Sequence, residues 1–303
     1  MVQLLKRRTL ALAGAAIAIA TTAGCAWLQD ISGLSLADLT QILADDSSTV
    51  SVVAFNLESG DADPVYLADQ YLAPQQGVDL WGLSEVQNPE WLTVLEQGVE
   101  VGESSDFQAI LGTTGGADRL ALLYNTSLFE VIEAYELTEL SFGGRVRAAL
   151  VAQMKVRASG EEFLFMVNHL YRTNDEARHQ QAQILNTWAR GQTLPIIAVG
   201  DYNFDFNITE GDAGNRDRGF DLMTQDNIFT WVRPQPLMVS HCSDRYNNIL
   251  DFIFVANGAK SWTVEDSTVL YSDAADDYCP DDSLQSDHFP VAATFVLPTG
   301  ETP

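Results

Sequence analysis

"AVGDYNFDF", residues 198–206, is the stretch on which the reading of the chain turns. An apolar run through Ile196, Ile197, Ala198 and Val199 breaks off at Gly200-Asp201-Tyr202-Asn203. A carboxylate and a carboxamide two positions apart in an extended segment fall on the same side of the strand. Gly, Asp and Asn are also ordinary turn residues, so this stretch alone reads equally well as a plain strand end. In α/β proteins, however, ligands bind beyond the carboxyl ends of sheet strands, and every other strand of the chain can be asked the same question.

Outward from this stretch, β-rich runs and helical patterns alternate from Val50 onward. "TVSVVAFNLES" reads as a strand ending at Asn56-Leu57-Glu58, and "VDLWGLSEV" as a strand ending at Glu85. "EEFLFMVNHL" ends at Asn168-His169, Asp251 opens "LDFIFV", and Asp287-His288 opens the last strand in "SDHFPV". Helices are expected at "PVYLADQYLAPQQ", at "NPEWLTVLEQGV" with Pro89 near its start, and at "NDEARHQQAQILNTWAR". In the last of these Asn174 caps, acids fill the first turn, and Ala177, Ile184, Leu185 and Trp188 form the apolar face. Trp81, Trp91 and Trp188 are core candidates. "DFNITEGDAGNRDRGF" reads as a solvated loop over 204–219; with 59–64 and 112–118 it is a candidate specificity loop. Without repeats or long linkers, one domain over 49–297 with a tail at 298–303 is the economical reading. Its class is α/β (α+β): two mixed sheets with helices outside. Each polar strand end taken singly is a turn residue. Together they supply the parts of a hydrolytic metal site: few ligands, a base, amide donors and a carboxylate–imidazole pair.

The 303 residues carry 42 acidic and 16 basic side chains, a formal charge of −26. Such a surface repels polyanions at long range and argues against a binder that grips nucleic acid through a broad basic patch. Lys6, Arg7 and Arg8 followed by the apolar run Leu10–Ala20 read as an export signal, too short to span a bilayer. "TAGC" resembles a bacterial lipobox with Cys25 as the acylated residue; Thr22 stands where Leu is usual, so simple cleavage and release is the alternative. The expectation is a signal over 1–25, a tether over 26–48, and a periplasmic or cell-surface lipoprotein anchored through Cys25. Cys242 and Cys279 remain, and in an exported chain they pair most simply as a disulfide; two unpaired buried thiols are the alternative.

"FNLES", "LSEVQN", "VNHL", "GDYN", "LDFIFV" and "SDHFPV" occur in the order and approximate spacing of the endonuclease/exonuclease/phosphatase superfamily, which the chain resembles from residue 50 to 297. The resemblance implies a four-layer sandwich of two mixed sheets flanked by helices. It also implies a monomeric, divalent-metal-dependent phosphoesterase acting on nucleic acid, phospholipid or a small phosphate ester. By position, Glu85 would ligate Mg²⁺, with Mn²⁺ as the alternative. Glu58 and Asp287 would be further acidic groups of the metal shell, and Asn56 would order that shell or hold phosphate. Asp201 would orient or deprotonate the attacking water, and Asn203 would donate to a phosphoryl oxygen. Asp251 and His288 would pair. His169 would contact phosphate or act as an acid, with Asn168 beside it binding substrate. Arg147 would bind phosphate, with Arg145 as close in sequence and Arg172 a lesser candidate. The secreted deoxyribonuclease branch pairs its acidic histidine with an upstream glutamate, and the comparable stretch "AILGTTGGADRLALLY" has none. His179 and His241 read as ordinary surface or loop histidines. A non-catalytic surface protein retaining the fold is the alternative to an enzyme.

Overall fold

The computed structural model describes residues 49–243, 247–270 and 284–298. The signal and tether readings, Cys25, Cys279 and residues 299–303 lie outside these residues. In chain order the strands are β1 (Thr49–Asn56), β2 (Leu80–Val86), β3 (Phe107–Leu111), β4 (Arg119–Asn125), β5 (Phe129–Leu137), β6 (Ala149–Val156), β7 (Glu162–His169), β8 (Ile196–Asn207), β9 (Phe229–Trp231), β10 (Asn248–Ala256), β11 (Thr263–Val269) and β12 (Val291–Val296). They form two six-stranded sheets, ordered β11-β12-β1-β2-β4-β3 and β5-β6-β7-β8-β10-β9. Each sheet holds one parallel pair, β1 with β2 and β7 with β8, among antiparallel neighbours. The fold is the mixed two-sheet α+β sandwich expected from the sequence.

The sheets meet face to face through β2 and β4 of one and β6, β7 and β8 of the other. Gly82 sets how closely they approach: a Cβ there would lie 2.3 Å from Val199 Cγ2 and 3.2 Å from Val167 Cγ2. The shared core includes Trp81, Phe55, Phe163, Phe165, Tyr202 and Phe252, all fully buried. Trp91 is buried and Trp188 packs against the core edge.

Among the described residues four α-helices accompany the sheets: α1 (Pro64–Leu67), which widens into a π turn over Ala68–Leu72, α2 (Pro89–Glu103), α3 (Asp175–Arg190) and α4 (Arg218–Thr224). Asn88 caps α2 by accepting from Trp91 N at 2.9 Å, and Asn174 caps α3 by accepting from Ala177 N at 3.1 Å. The buried face of α3 differs from the expected apolar stripe. Leu185 is on it, but so are Arg178, Gln181 and Asn186. Much of their polarity is met by backbone and carboxylates: Arg178 Nη1 donates to the Tyr171 and Arg172 carbonyls and Nη2 to Asp175 and Asp217, Gln181 Nε2 to Leu140 O, and Asn186 Nδ2 to Met223 O. Helix α3 therefore anchors the turn that follows β7, and burial of polar groups with partners is what periodicity of apolar residues cannot report. The 204–219 stretch also differs from a solvated loop. Strand β8 continues to Asn207, and Phe204 and Phe206 are buried in an aromatic cluster with Phe220 and Trp231.

Candidate active site

The parallel pairs bring Asn56 and Glu85 to one end of the first sheet and His169 and Asp201 to one end of the second. Strand β10 runs antiparallel to β8 with Asp251 opposite Asp201, so its carboxylate reaches the same end. Local backbone irregularities then aim the side chains. Glu85 has φ 62°, and the β2–β4 register shifts between Leu83 and Val86, which lifts the carboxylate out of the ladder. Asn203 has φ 51°, inside a wide irregularity between Asp201 and Phe206 of β8. Asp201 and Asn203 thus do not share a side by simple alternation; Asp201 Oδ1 accepts from Asn203 N at 2.9 Å across the bulge. Glu58 is a third left-handed position, with φ 51°. Gly200 has φ +137° and no room for a side chain, since a Cβ would lie 1.9 Å from Asn168 O. That glycine is required for β8 to pass β7 into the site.

At the centre stands Asp201, 2% exposed. Its Oδ2 accepts from Asn56 Nδ2 at 3.1 Å and lies 3.3 Å from His169 Nε2 and 3.9 Å from His288 Nε2. Burial pushes its carboxyl up to about 7, opposed by His288 and reinforced by Asp251. Asn56 also donates to Glu85 Oε1 at 3.2 Å, while Glu85 Oε2 accepts from Ser59 N and Ser59 Oγ at 3.0 and 3.1 Å. Asn203 Nδ2 donates to Leu170 O at 3.3 Å. Asp251 and His288 pair at 2.7 Å. Burial works against charge on His288, but Asp251, Asp201 and Asp287 outweigh it and raise the imidazole to about 10. His169 is held well below the usual histidine range by burial, then by Arg147, His288 and Arg172. At neutral pH the site thus has one charged and one neutral imidazole around one carboxylate.

At the mouth, Glu58 Oε2 accepts from Asp287 N at 2.6 Å. Burial and the charge of Asp287 raise Glu58 to about 7. Two groups of side chains bring ligand atoms within 4.8 Å of one another: Glu85, Asp118 and His169, and Asp201, Asp251 and His288.

Three sequence expectations change. Asn168 is fully buried and donates to the Tyr202 hydroxyl at 3.0 Å, on the opposite face of β7 from His169. It supports the core and is not brought to the cleft. Arg147 directs its donors into the protein: Nε to His169 O at 3.0 Å, Nη2 to Leu170 O at 3.4 Å, and Nη1 to Asp118 in an ion pair. It positions the His169 turn and does not extend into the cleft for phosphate. His241 is neither a surface nor an ordinary loop histidine. It bridges His288 across the backbone, and the two rings stand 5.8 Å apart. His179, by contrast, is tied to Asp217 at 3.1 Å, away from these groups.

Sequence reading missed Asp118, which lies in the stretch searched only for glutamate. Its Oδ1 is 3.7 Å from His169 Nδ1. It also missed two buried serines. Ser240 Oγ donates to Asp251 Oδ2 at 2.7 Å and accepts from Leu250 N and Asp251 N. Ser286 Oγ donates to Asn56 O at 2.7 Å and accepts from His288 N at 3.0 Å. The serine of "SDH" was the only available signal for either. The Cys242–Cys279 pairing has one member outside the described residues; Cys242 N donates to Asp287 O at 2.7 Å.

The family model described as "Endonuclease/Exonuclease/phosphatase family" matches residues 53–288, most of the chain and all of these strand ends. The chain belongs to the endonuclease/exonuclease/phosphatase family. Members of this family hydrolyse phosphate esters. Solved structures with the same fold include an endonuclease/exonuclease/phosphatase family protein of Bacteroides thetaiotaomicron, 19% identical with a TM-score of 0.59, covering 82% of this chain and 95% of that one. A mannosyl-6-phosphatase of the same organism is 18% identical with a TM-score of 0.58, covering 82% and 100%. TDP2 of D. rerio, complexed with a single-strand DNA product, is 17% identical with a TM-score of 0.60, covering 82% and 99%. No curated protein sequence matches. At these identities the likenesses establish the fold, and the site itself must carry the chemistry.

Proposed function

We propose that the chain is a divalent-cation-dependent phosphoesterase that hydrolyses a phosphodiester or phosphomonoester by in-line attack of water. The observation that carries this reading is the placement of Asp201: a buried carboxylate with raised proton affinity, within 3.3 and 3.9 Å of a neutral and a charged imidazole.

Glu85, with Asp118 and His169, brings ligand atoms within 4.8 Å of one another, a carboxylate-rich group that suits a hard cation. Glu58 and Asp287 offer further carboxylate oxygens, and the repulsion of Glu58 by Asp287 would be relieved by a positive charge nearby. When bound there, Mg²⁺ would neutralise charge on the phosphoryl oxygens. The remaining work falls to the side chains. Asp201, ionised, takes the proton of the attacking water. His288, protonated and fixed by Asp251, holds negative charge that builds on the phosphoryl oxygens, and Asn203 donates to the same group. His169, neutral, orients water or phosphate through Nε2. Asn56 ties Glu85 to Asp201 and keeps cation and base in register.

Hydrolysis of bis(p-nitrophenyl) phosphate and of p-nitrophenyl phosphate, each with Mg²⁺ and with EDTA, tests the reading. Asp201→Ala and His288→Ala should each lower kcat by on the order of 10²–10⁴-fold. Full activity in EDTA, or in either variant, would remove the reading. The leader "MVQLLKRRTLALAGAAIAIATTAGC" supports an exported enzyme anchored through Cys25, and metabolic labelling with a radioactive fatty acid tests that placement.

A further inference from the structure

The two groups of ligand atoms in the cleft differ in what already fills them. In the group of Asp201, Asp251 and His288, the ring nitrogen Nδ1 is taken by a 2.7 Å hydrogen bond to Asp251 Oδ2. In the group of Glu85, Asp118 and His169 it is not. His169 is 4% exposed, and its Nδ1 has no hydrogen-bond partner among the described residues. That nitrogen faces Asp118 Oδ1 at 3.7 Å and Glu85 Oε1 at 3.9 Å. Asp118 Oδ1 is likewise without a hydrogen-bond partner among the described residues. These separations are too long for hydrogen bonds. Adjacent ligands of one cation, bound at about 2.0–2.2 Å, stand roughly 3–4 Å apart.

The neighbours of each ligand hold it in that direction. Ser59 N and Ser59 Oγ donate to Glu85 Oε2 at 3.0 and 3.1 Å, which leaves Oε1 toward the ring, where Asn56 Nδ2 also reaches it at 3.2 Å. Arg147 takes Asp118 Oδ2 and leaves Oδ1. On the far side of the ring, His169 Nε2 lies 3.3 Å from Asp201 Oδ2. A metal-bound histidine commonly turns its other ring N–H to a carboxylate, which fixes the tautomer. With the proton on Nε2, Nδ1 presents a lone pair to two carboxylate oxygens. Three electron-rich atoms aimed at one another repel unless a cation lies between them. Glu85 and Asp118 are both part-exposed, so an ion reaches the group from solvent.

We propose that Glu85 Oε1, Asp118 Oδ1 and His169 Nδ1 are ligands of one divalent ion, and that the nitrogen makes the site prefer a first-row transition ion such as Mn²⁺ over Mg²⁺. The inference deepens the phosphoesterase reading, on which the use of the ion in hydrolysis rests. Mg²⁺ is held through oxygen and keeps several waters, whereas imidazole suits transition ions. Mn²⁺ is the weakest binder of the first-row series, so a preference shown by Mn²⁺ is the least the site should display. A ring held through its Nδ1 lone pair stays neutral. That removes from His169 the acid role offered by the sequence resemblance and makes its carboxylate neighbour, Asp118, an ion ligand instead of an acid's partner.

The full chain, freed of metal with EDTA and then of EDTA, is titrated by calorimetry with Mn²⁺ and with Mg²⁺, and its Mn²⁺ form is probed by electron spin echo spectroscopy. Mn²⁺ should bind about 10-fold more tightly than Mg²⁺, and its echo should carry the coupling of an imidazole nitrogen. His169→Gln should abolish that coupling. Asp118→Asn should keep the coupling and lower Mn²⁺ affinity about 10-fold. It leaves the ring in place, so it still decides if His169→Gln does not fold. An echo without nitrogen coupling, a coupling that survives His169→Gln, Mn²⁺ bound no more tightly than Mg²⁺, or an affinity unmoved by Asp118→Asn overturns the site. Turnover of bis(p-nitrophenyl) phosphate and p-nitrophenyl phosphate, measured in parallel, separates the two ideas. Turnover by a protein whose echo shows no nitrogen removes only the ligand set. Nitrogen coupling without turnover keeps the ligand set and removes the phosphoesterase reading.

Discussion

Asp251–His288 and Asp118–His169 are two carboxylate–imidazole pairs in one cleft, and they end in opposite states. In the first, the oxygen that meets the ring at 2.7 Å also accepts from Ser240 Oγ at 2.7 Å, and no Lys or Arg among the described residues pairs with it. In the second, Arg147 holds the other carboxylate oxygen, and the ring stands off at 3.7 Å. Burial raises Asp118 to about 7 against the pull of Arg147, so that carboxylate gives its histidine little charge to lean on. One imidazole is raised to about 10 and the other falls well below the usual range. Residue type does not fix the charge of a buried histidine. Both rings are buried; Asp251, Asp201 and Asp287 outweigh that burial at His288, whereas at His169 the charges of Arg147, His288 and Arg172 add to it.

The largest way to break this contrast is Asp251→Asn. The amide keeps the shape of the contact but withdraws the charge that keeps His288 protonated. We expect kcat to fall on the order of 10²–10³-fold. A loss under about 3-fold at neutral pH would mean that His288 does not act as a cation.

Next in size is the pH profile of kcat/KM at saturating Mg²⁺. Asp201 must be ionised, and its carboxyl is raised to about 7, so activity should climb as pH rises through that value. His288 must stay protonated, and it is raised to about 10, so activity should decline as pH rises through that value. A descending limb near the ordinary histidine range would show that Asp251 does not hold His288 protonated in solution.

A smaller effect sharpens the second pair. Arg147→Met removes a cation that, after burial, most lowers His169, and it frees Asp118 to approach the ring. Imidazole NMR titration should move His169 upward. An unmoved titration would show that burial alone sets the state of His169.

Much of this was legible in the sequence, and for physical reasons. Apolar runs interrupted by Asn56, Glu85, His169, Asp201 and Asp251 marked strand ends, and polar groups that converge there have to interrupt buried strands. The two-sheet fold followed from mixed β-runs between helices. What stayed hidden depends on direction within the fold. Asn168 and His169 are neighbours in "VNHL", yet strand alternation sends one to the core and one to the cleft. Arg147 reads as a free cation until its partners Asp118, His169 O and Leu170 O are placed around it. Asp118 and Ser240 sit in bends and His241 in an isolated bridge, all outside the named strands, where sequence period carries no information about the side chain's target.

The left-handed backbone at Glu58, Glu85 and Asn203 has a consequence for anyone who selects this protein for heat resistance. A side chain in that conformation costs on the order of 1 kcal/mol relative to glycine, which accepts it freely. Asn203→Gly should therefore hold or raise the melting temperature while it removes the amide that meets the phosphoryl group. Thermal screening without an activity filter would drift toward glycine at these three positions, enriching for robust proteins that no longer turn over substrate.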